Sequence, residues 1–349
     1  VTPGAGETSR VNARIPVAAI VAAALLFGFL LMAEVMRDFR SFVREPLAIG
    51  PEGTGLALAP GTSYRDMVRQ LAAQGLTRDS WRWRLLTVDN DLAERIQAGE
   101  YWLEPGTTPP MLLDFLVNGA VQMHSFTIVE GWTFAQMRDA IAQSDLFSHI
   151  ASDLSDQELM SELGRPGEHP EGRFLPETYH LPRGTTDLAF MERSMTAMAV
   201  VLEEAWSARD TGLPYDGPGD VLIMASIIEK ETANPDERSR IAGVFVRRLH
   251  KHMRLQTDPT VIYGLGSGFD GDIRSADLKN DTPYNTYTRH GLPPTPIALP
   301  GIDALEAAVH PAEGIVLYFV ATGDGQHVFA ETLEEHNGNV ARYQKKGSK

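Results

Sequence analysis

The sequence predicts an α+β protein with one apolar helix near its N-terminus, a small mixed module behind it, and a larger mixed domain. Three observations carry this. At 349 residues the chain exceeds one typical domain. From Ile15 to Ala33 the stretch IPVAAIVAAALLFGFLLMA carries no charge. One pattern then recurs three times: a strand-like run, a glycine turn and an amphipathic helix.

The apolar stretch is long enough, at about 1.5 Å per residue, to cross a hydrocarbon layer of about 30 Å. It ends in Leu-Met-Ala rather than in an A-x-A-like cleavage site, which predicts an uncleaved transmembrane helix over 15–33. Arg10 and Arg14 precede it, but Arg37, Arg40 and Arg44 follow, so basic residues do not orient it. The short tail 1–14 favours tail inside and body outside.

Residues 34–50 read as a linker. The first two copies of the pattern, LALAPGTSYRDMVRQLAAQG from Leu56 and YWLEPGTTPPMLLDFLVNG from Tyr101, flank a WRWRLL helix from Trp81 and form an α+β module over 51–124. The third copy, FTIVEGWTFAQMRDAIAQ from Phe126, opens a mixed domain over 125–345. In each copy a threonine directly after the turn glycine, or one residue further on, is the expected N-cap. The segment EGRFLPETYHL (Glu171 to Leu181) reads as a surface loop or short strand. A helical run from Asp187 to Ala208 follows. Asp220 is then the expected cap of a helix ending in ASIIEKETAN, followed by a helix from Pro235 to His252 and a hairpin formed by IVLYFVAT and HVFAET.

Composition removes several classes. With 31 basic against 46 acidic residues, the net charge of −15 argues against nucleic acid as partner. The absence of cysteine excludes disulfides and thiolate chemistry. His250 and His252 lack carboxylate company for a metal site, GLGSG lacks a P-loop continuation, and no cofactor is implied.

The string EKET places Glu229 and Glu231 around Lys230 at the end of an apolar helix. Glu231 lies below Met224, Ile227 and Ile228, and Glu229 below Leu222, Ala225 and Ser226. Both stripes are apolar, the first more so, and a desolvated carboxyl there would stay protonated near neutrality as a general acid. The competing reading is that both glutamates are solvated last-turn residues, with Lys230 favoured by the helix dipole. Downstream, Gln256, Thr257 and Asp258 stand at a helix start. The proline-rich YNTYTRHGLPPTPI presents Tyr284, Asn285, Thr286 and Tyr287. Such aromatic faces and fixed hydrogen-bonding groups suit a sugar ring, and a structural loop with its tyrosines in the core would read the same way.

The strings ASIIEKET, FVRRLHKHMRLQTDPTVIYGLG, YNTYTRHGLPPTPIALPG, AVHPA and LYFVATGDGQHVF closely resemble the YceG-like endolytic murein transglycosylases, as do VEGWT, FLPETY and the single N-terminal apolar helix. The resemblance implies a single-pass cell inner membrane protein with its catalytic domain in the periplasm, in which a LysM-like module precedes the catalytic domain. It also implies cleavage of the MurNAc-GlcNAc bond in nascent peptidoglycan glycan strands, leaving 1,6-anhydroMurNAc ends and terminating elongation, with peptidoglycan synthases as partners. The second glutamate of EKET, Glu231, matches the family's essential acid. Glu229, Thr232, Gln256, Asp258, Tyr284, Asn285 and Tyr287 are the candidate substrate-binding residues beside it. Two other readings remain open: a hydrolytic muramidase using Asp258 or Glu229 as second carboxylate, and a non-catalytic glycan-binding scaffold.

Overall fold

The computed structural model describes residues 17–78, 81–87, 95–119 and 122–343, and the chain divides into two compact units, Val1–Gln122 and Met123–Lys349. Helix and strand are mixed throughout, as an α+β chain requires.

In the first unit a 28-residue helix, α1 (Val17–Arg44), runs straight through most of the predicted linker. The reason is local. Phe39, Phe42 and Val43 recur at helical spacing and pack on the module's core, where Phe42 is buried with Leu47. Upstream the helix is bare and apolar, with Leu25 70% and Phe27 69% exposed. Among the described residues no helix is long and apolar enough to cross a membrane. The predicted span starts at Ile15, and its first residues lie outside those described.

The module itself follows the predicted pattern. Strand β1 (Thr54–Leu58) leads to α2 (Tyr64–Ala73), then α3 (Trp81–Leu86), β2 (Gly99–Leu103) and α4 (Pro109–Asn118). The two strands pair antiparallel, Thr54 opposite Leu103 and Leu58 opposite Gly99. Their inward residues Leu56, Leu58, Tyr101 and Leu103 meet Met67, Leu71, Trp83 and Leu112 in one core. Two caps fall one residue later than expected. Ser63 and Thr108 cap the helices, because the hydroxyls of Thr62 and Thr107 instead close the preceding turns by donating to Ala59 O and Glu104 O, each at 2.7 Å.

The second unit starts with β3 (Met123–Thr127) and α5 (Phe134–Gln143), whose cap Thr133 forms the expected bond as part of a capping box with Gln136. Next come β4 (Phe147–Ser148), α6 (Asp156–Glu162), β5 (Thr178–Pro182), β6 (Thr185–Thr186) and α7 (Asp187–Ala208). Strand β5 pairs antiparallel with β3, and β6 pairs parallel with β4. Phe134, Phe147, Phe174, Tyr179 and Phe190 fill the core beneath them. The EGRFLPETYHL segment is therefore not a surface loop: Glu171, Phe174 and Leu175 are buried, and only its last residues form a strand.

A helical layer carries the rest. It comprises α8 (Pro218–Glu231), α9 (Pro235–His250), α10 (Asp258–Leu265) and α11 (Ile302–Val309), followed by the antiparallel hairpin β7 (Tyr318–Ala321) and β8 (His327–Ala330) and by α12 (Leu333–Tyr343). The cap of α8 is Gly217, with Pro218 in its first turn; Asp220 lies inside that turn and accepts from Asp216 N at 2.8 Å. All eight residues from Val221 to Ile228 are buried among α7, α9 and α11.

Candidate active site

Because α8 is buried on every side, the two stripes that distinguished Glu231 from Glu229 in the sequence do not separate them. Their partners do. Glu229 accepts from Gly301 N at 3.0 Å and lies 3.7 Å from Arg238, which also pairs with Asp303 at 2.9 Å. Lys230 donates to Gly131 O at 3.1 Å. Two residues of EKET thus bind the VEGWT turn and the start of α11 to the end of α8. Burial pushes the Glu229 carboxyl up against the opposing pull of that backbone bond and of Arg238. The Glu229 oxygens are thus directed to Gly301 and Arg238, and among the described residues no hydrogen bond joins Glu229 to Glu231.

Glu231 closes the helix and keeps partial access to solvent. Its Oε1 accepts from the Thr257 hydroxyl, the residue that caps α10. Burial pushes this carboxyl up to about 7, with the Asp258 carboxylate adding to the effect; the Thr257 bond, His327 and Arg248 pull the other way. A helix C-terminus also disfavours negative charge. The result is an acid that holds its proton near neutrality yet can release it.

Thr257 is placed by a tight turn. Gln256, exposed, takes a left-handed backbone with φ of 51°, and its N donates to Thr286 O at 3.2 Å. Thr257 N donates to Thr286 Oγ1 at 3.1 Å. Next to it Asp258 is exposed and accepts from the Tyr287 hydroxyl at 2.5 Å. Burial and that carboxylate hold the Tyr287 phenol well above its usual range. Glu231, Thr257, Asp258 and Tyr287 therefore form one connected group, with Gln256 on its rim.

Three predicted sugar contacts are occupied elsewhere. Asn285 is 1% exposed, and its amide donates to Asp277 O, Leu278 O and Asn280 O, so it shapes the loop from within. Thr232 is buried and its hydroxyl accepts from Asn234 N at 3.0 Å, stopping α8 before the next helix. Tyr284 bonds Thr295 at 2.8 Å and meets Tyr263 edge-on at 4.9 Å.

Sequence reasoning missed four groups. Glu237 holds His327 twice, accepting from its backbone N and pairing with Nδ1, both at 2.8 Å. Buried Glu171 accepts from Phe134 N at 2.8 Å and from the Tyr263 hydroxyl at 3.0 Å, and burial pushes it up to about 7. The fourth, Arg248, was legible: it falls three residues after Phe245 and seven after Ile241 on the buried stripe of α9.

A carboxyl with a raised pKa at the end of a buried helix, bordered by a tyrosine and an aspartate, is an arrangement suited to general acid–base chemistry. The chain belongs to the YceG-like family, whose pattern matches residues 56–342. It is 31% identical to a Bacillus subtilis (strain 168) protein named endolytic murein transglycosylase, over 93% of this chain and 91% of that one. A Streptococcus pneumoniae serotype 2 protein of the same name is 27% identical over 71% of this chain and 51% of its own length. The crystal structure of a YceG-like protein from Listeria monocytogenes aligns with a TM-score of 0.52 and 28% identity, covering 83% of this chain and 99% of that one.

Proposed function

We propose that this chain is an endolytic lytic transglycosylase of peptidoglycan, cutting the MurNAc-GlcNAc bond with Glu231 as its catalytic residue. The observation that carries the reading is the geometry around Glu231: a carboxyl at the end of a buried helix whose Oε1 accepts from the Thr257 hydroxyl, with Asp258, the next residue, already bonded to Tyr287. The names of the relatives agree with it.

Glu231 gives its proton to the glycosidic oxygen as the bond to the anomeric carbon breaks. The resulting carboxylate then takes the proton of the muramic 6-hydroxyl, whose oxygen attacks that carbon. The proton balance closes on one residue, and water is neither consumed nor released. In this reading Asp258, Tyr287 and Gln256 hold the sugar and face the positive charge of the oxocarbenium-like transition state.

In this reading the 15–33 segment anchors the protein in the cell inner membrane by a single pass, with the catalytic unit in the periplasm. The exposed apolar side chains of α1 support this. The small module is then a LysM-like glycan reader. Nascent strands are the substrate, elongation stops where they are cut, and peptidoglycan synthases are the expected partners.

Incubating the protein with uncrosslinked glycan strands and weighing the products tests the proposal. Anhydro-ended fragments, absent with Glu231→Gln, are expected. Reducing ends would make the protein a muramidase, and intact strands would leave a binding scaffold.

A further inference from the structure

Arg248 lies on the buried face of α9 and, among the described residues, forms no ion pair with a carboxylate. Backbone carbonyls hold it instead: Nε donates to Leu317 O at 2.7 Å, and Nη1 donates to Leu255 O at 2.7 Å and Arg254 O at 3.4 Å. Tyr318 covers it, with the guanidinium carbon 5.2 Å from the ring centre. Carbonyls orient a guanidinium without neutralising it, so a full positive charge stays in a dry place.

Two features point that charge at the acid–base group. Leu255 and Arg254 come immediately before Gln256, whose left-handed backbone aims Thr257 at Glu231. Fixing the Leu255 carbonyl therefore fixes the turn. Arg248 Nη1 holds the carbonyl two residues before Thr257, the residue bonded to Glu231, and its charge favours the ionised form of that carboxyl.

We infer that Arg248 is the positioning residue of this site: it pins the Thr257 turn against Glu231 and supplies the fixed charge that receives the Glu231 carboxylate after proton donation. This rests on the function proposed above. A poised acid must also become a tolerable base, and a partly buried carboxylate needs a cation to do so. The groups facing Glu231 are Thr257 and Asp258 from α10, His327 from β8 with its ring held by Glu237, Tyr287 from the loop, and Arg248 from α9. Asp258 opposes ionisation, whereas His327 and Arg248 favour it. The guanidinium of Arg248 stays charged at every working pH.

The test compares kcat/KM against pH for the whole chain, its Arg248→Met and Arg248→Lys variants, and Arg248→Gln, which keeps an amide donor for the carbonyls if the methionine variant melts too low. Loss of the charge raises the Glu231 pKa, so in the Met and Gln variants the alkaline fall in activity moves up by about half a pH unit or more. Their kcat at neutral pH drops about tenfold or more. Arg248→Lys keeps the fall near its wild-type position. A neutral variant whose profile coincides with wild type, or a lysine variant that moves as far as the neutral ones, overturns the inference. Carbon-13 NMR of the Glu231 carboxyl reads the same shift without turnover. Absence of anhydro-ended products from wild type therefore refutes the functional reading alone and leaves this comparison decisive.

Discussion

At the scale of the residue, Glu231 and Glu229 share a helix end and a raised pKa, and what separates them is where their oxygens go. Glu229 accepts from Gly301 N and faces Arg238, whereas among the described residues one oxygen of Glu231 is bonded, to Thr257. Glu231→Gln is therefore expected to lower kcat by about a hundredfold to ten-thousandfold, the usual contribution of a general acid–base, with the melting temperature kept. Glu229→Gln is expected to do the reverse, leaving the pH profile in place while lowering the melting temperature. Thr257→Val removes a bond that favours the ionised form, so the alkaline fall in activity moves to higher pH. A profile unmoved in Thr257→Val counts against the hydrogen bond as a tuning contact. The sequence showed both glutamates but not their division of labour, because that depends on Gly301, seventy-two positions from Glu229, and on Thr257, twenty-six from Glu231.

At the scale of the element, α8 holds the acid because its residues from Val221 to Ile228 are all buried, so it cannot shift without its neighbours. Segment lengths and types were legible: α7 runs from Asp187 to Ala208 as the apolar spacing predicts, and the hairpin pairs as predicted. Caps were less so, since serine, threonine and aspartate can close a turn as readily as start a helix, as Thr62, Thr107 and Asp220 do. The lock between α9 and the loop after α11 gives an independent test. A Cβ on Gly243 would collide with the Ala312 carbonyl and with Arg247, which itself donates to that carbonyl at 2.7 Å. Gly243→Ala should cost about 1–3 kcal/mol, seen as a lower urea midpoint at unchanged slope. Unchanged stability would mean that the loop yields freely.

At the scale of the whole molecule, two carboxyls with raised pKa couple stability to pH. Glu171 and Glu231 are both pushed up to about 7 by burial. Their protonated forms are favoured in the folded chain, so the stability they contribute is complete below the ordinary carboxylate range and is lost as pH rises towards 7. For Glu171, which is 3% exposed, the loss is on the order of 3 kcal/mol at most. Chemical denaturation of Glu171→Gln from pH 4.5 to 8 should show a flatter profile than wild type; an identical slope contradicts the assignment. The N-terminal helix is tested by partition. Replacing Leu26 and Phe27 with lysine, at about 2.5–3.5 kcal/mol each at a helix centre, should move the protein out of the membrane fraction, and retention there would exclude an anchoring role. The mixed fold was visible as repeated strand–turn–helix patterns, whereas the burial of Glu171 was not, because its partners Phe134 and Tyr263 are far away in sequence.

The central claim is that one carboxyl suffices because the nucleophile belongs to the substrate. Digesting glycan strands in water enriched in heavy oxygen tests it most directly. The account predicts products with no solvent oxygen at the new muramic ends and a mass one water below that of hydrolysis. Heavy oxygen at those ends would contradict it and require a second group, with Asp258 first in line, to activate water.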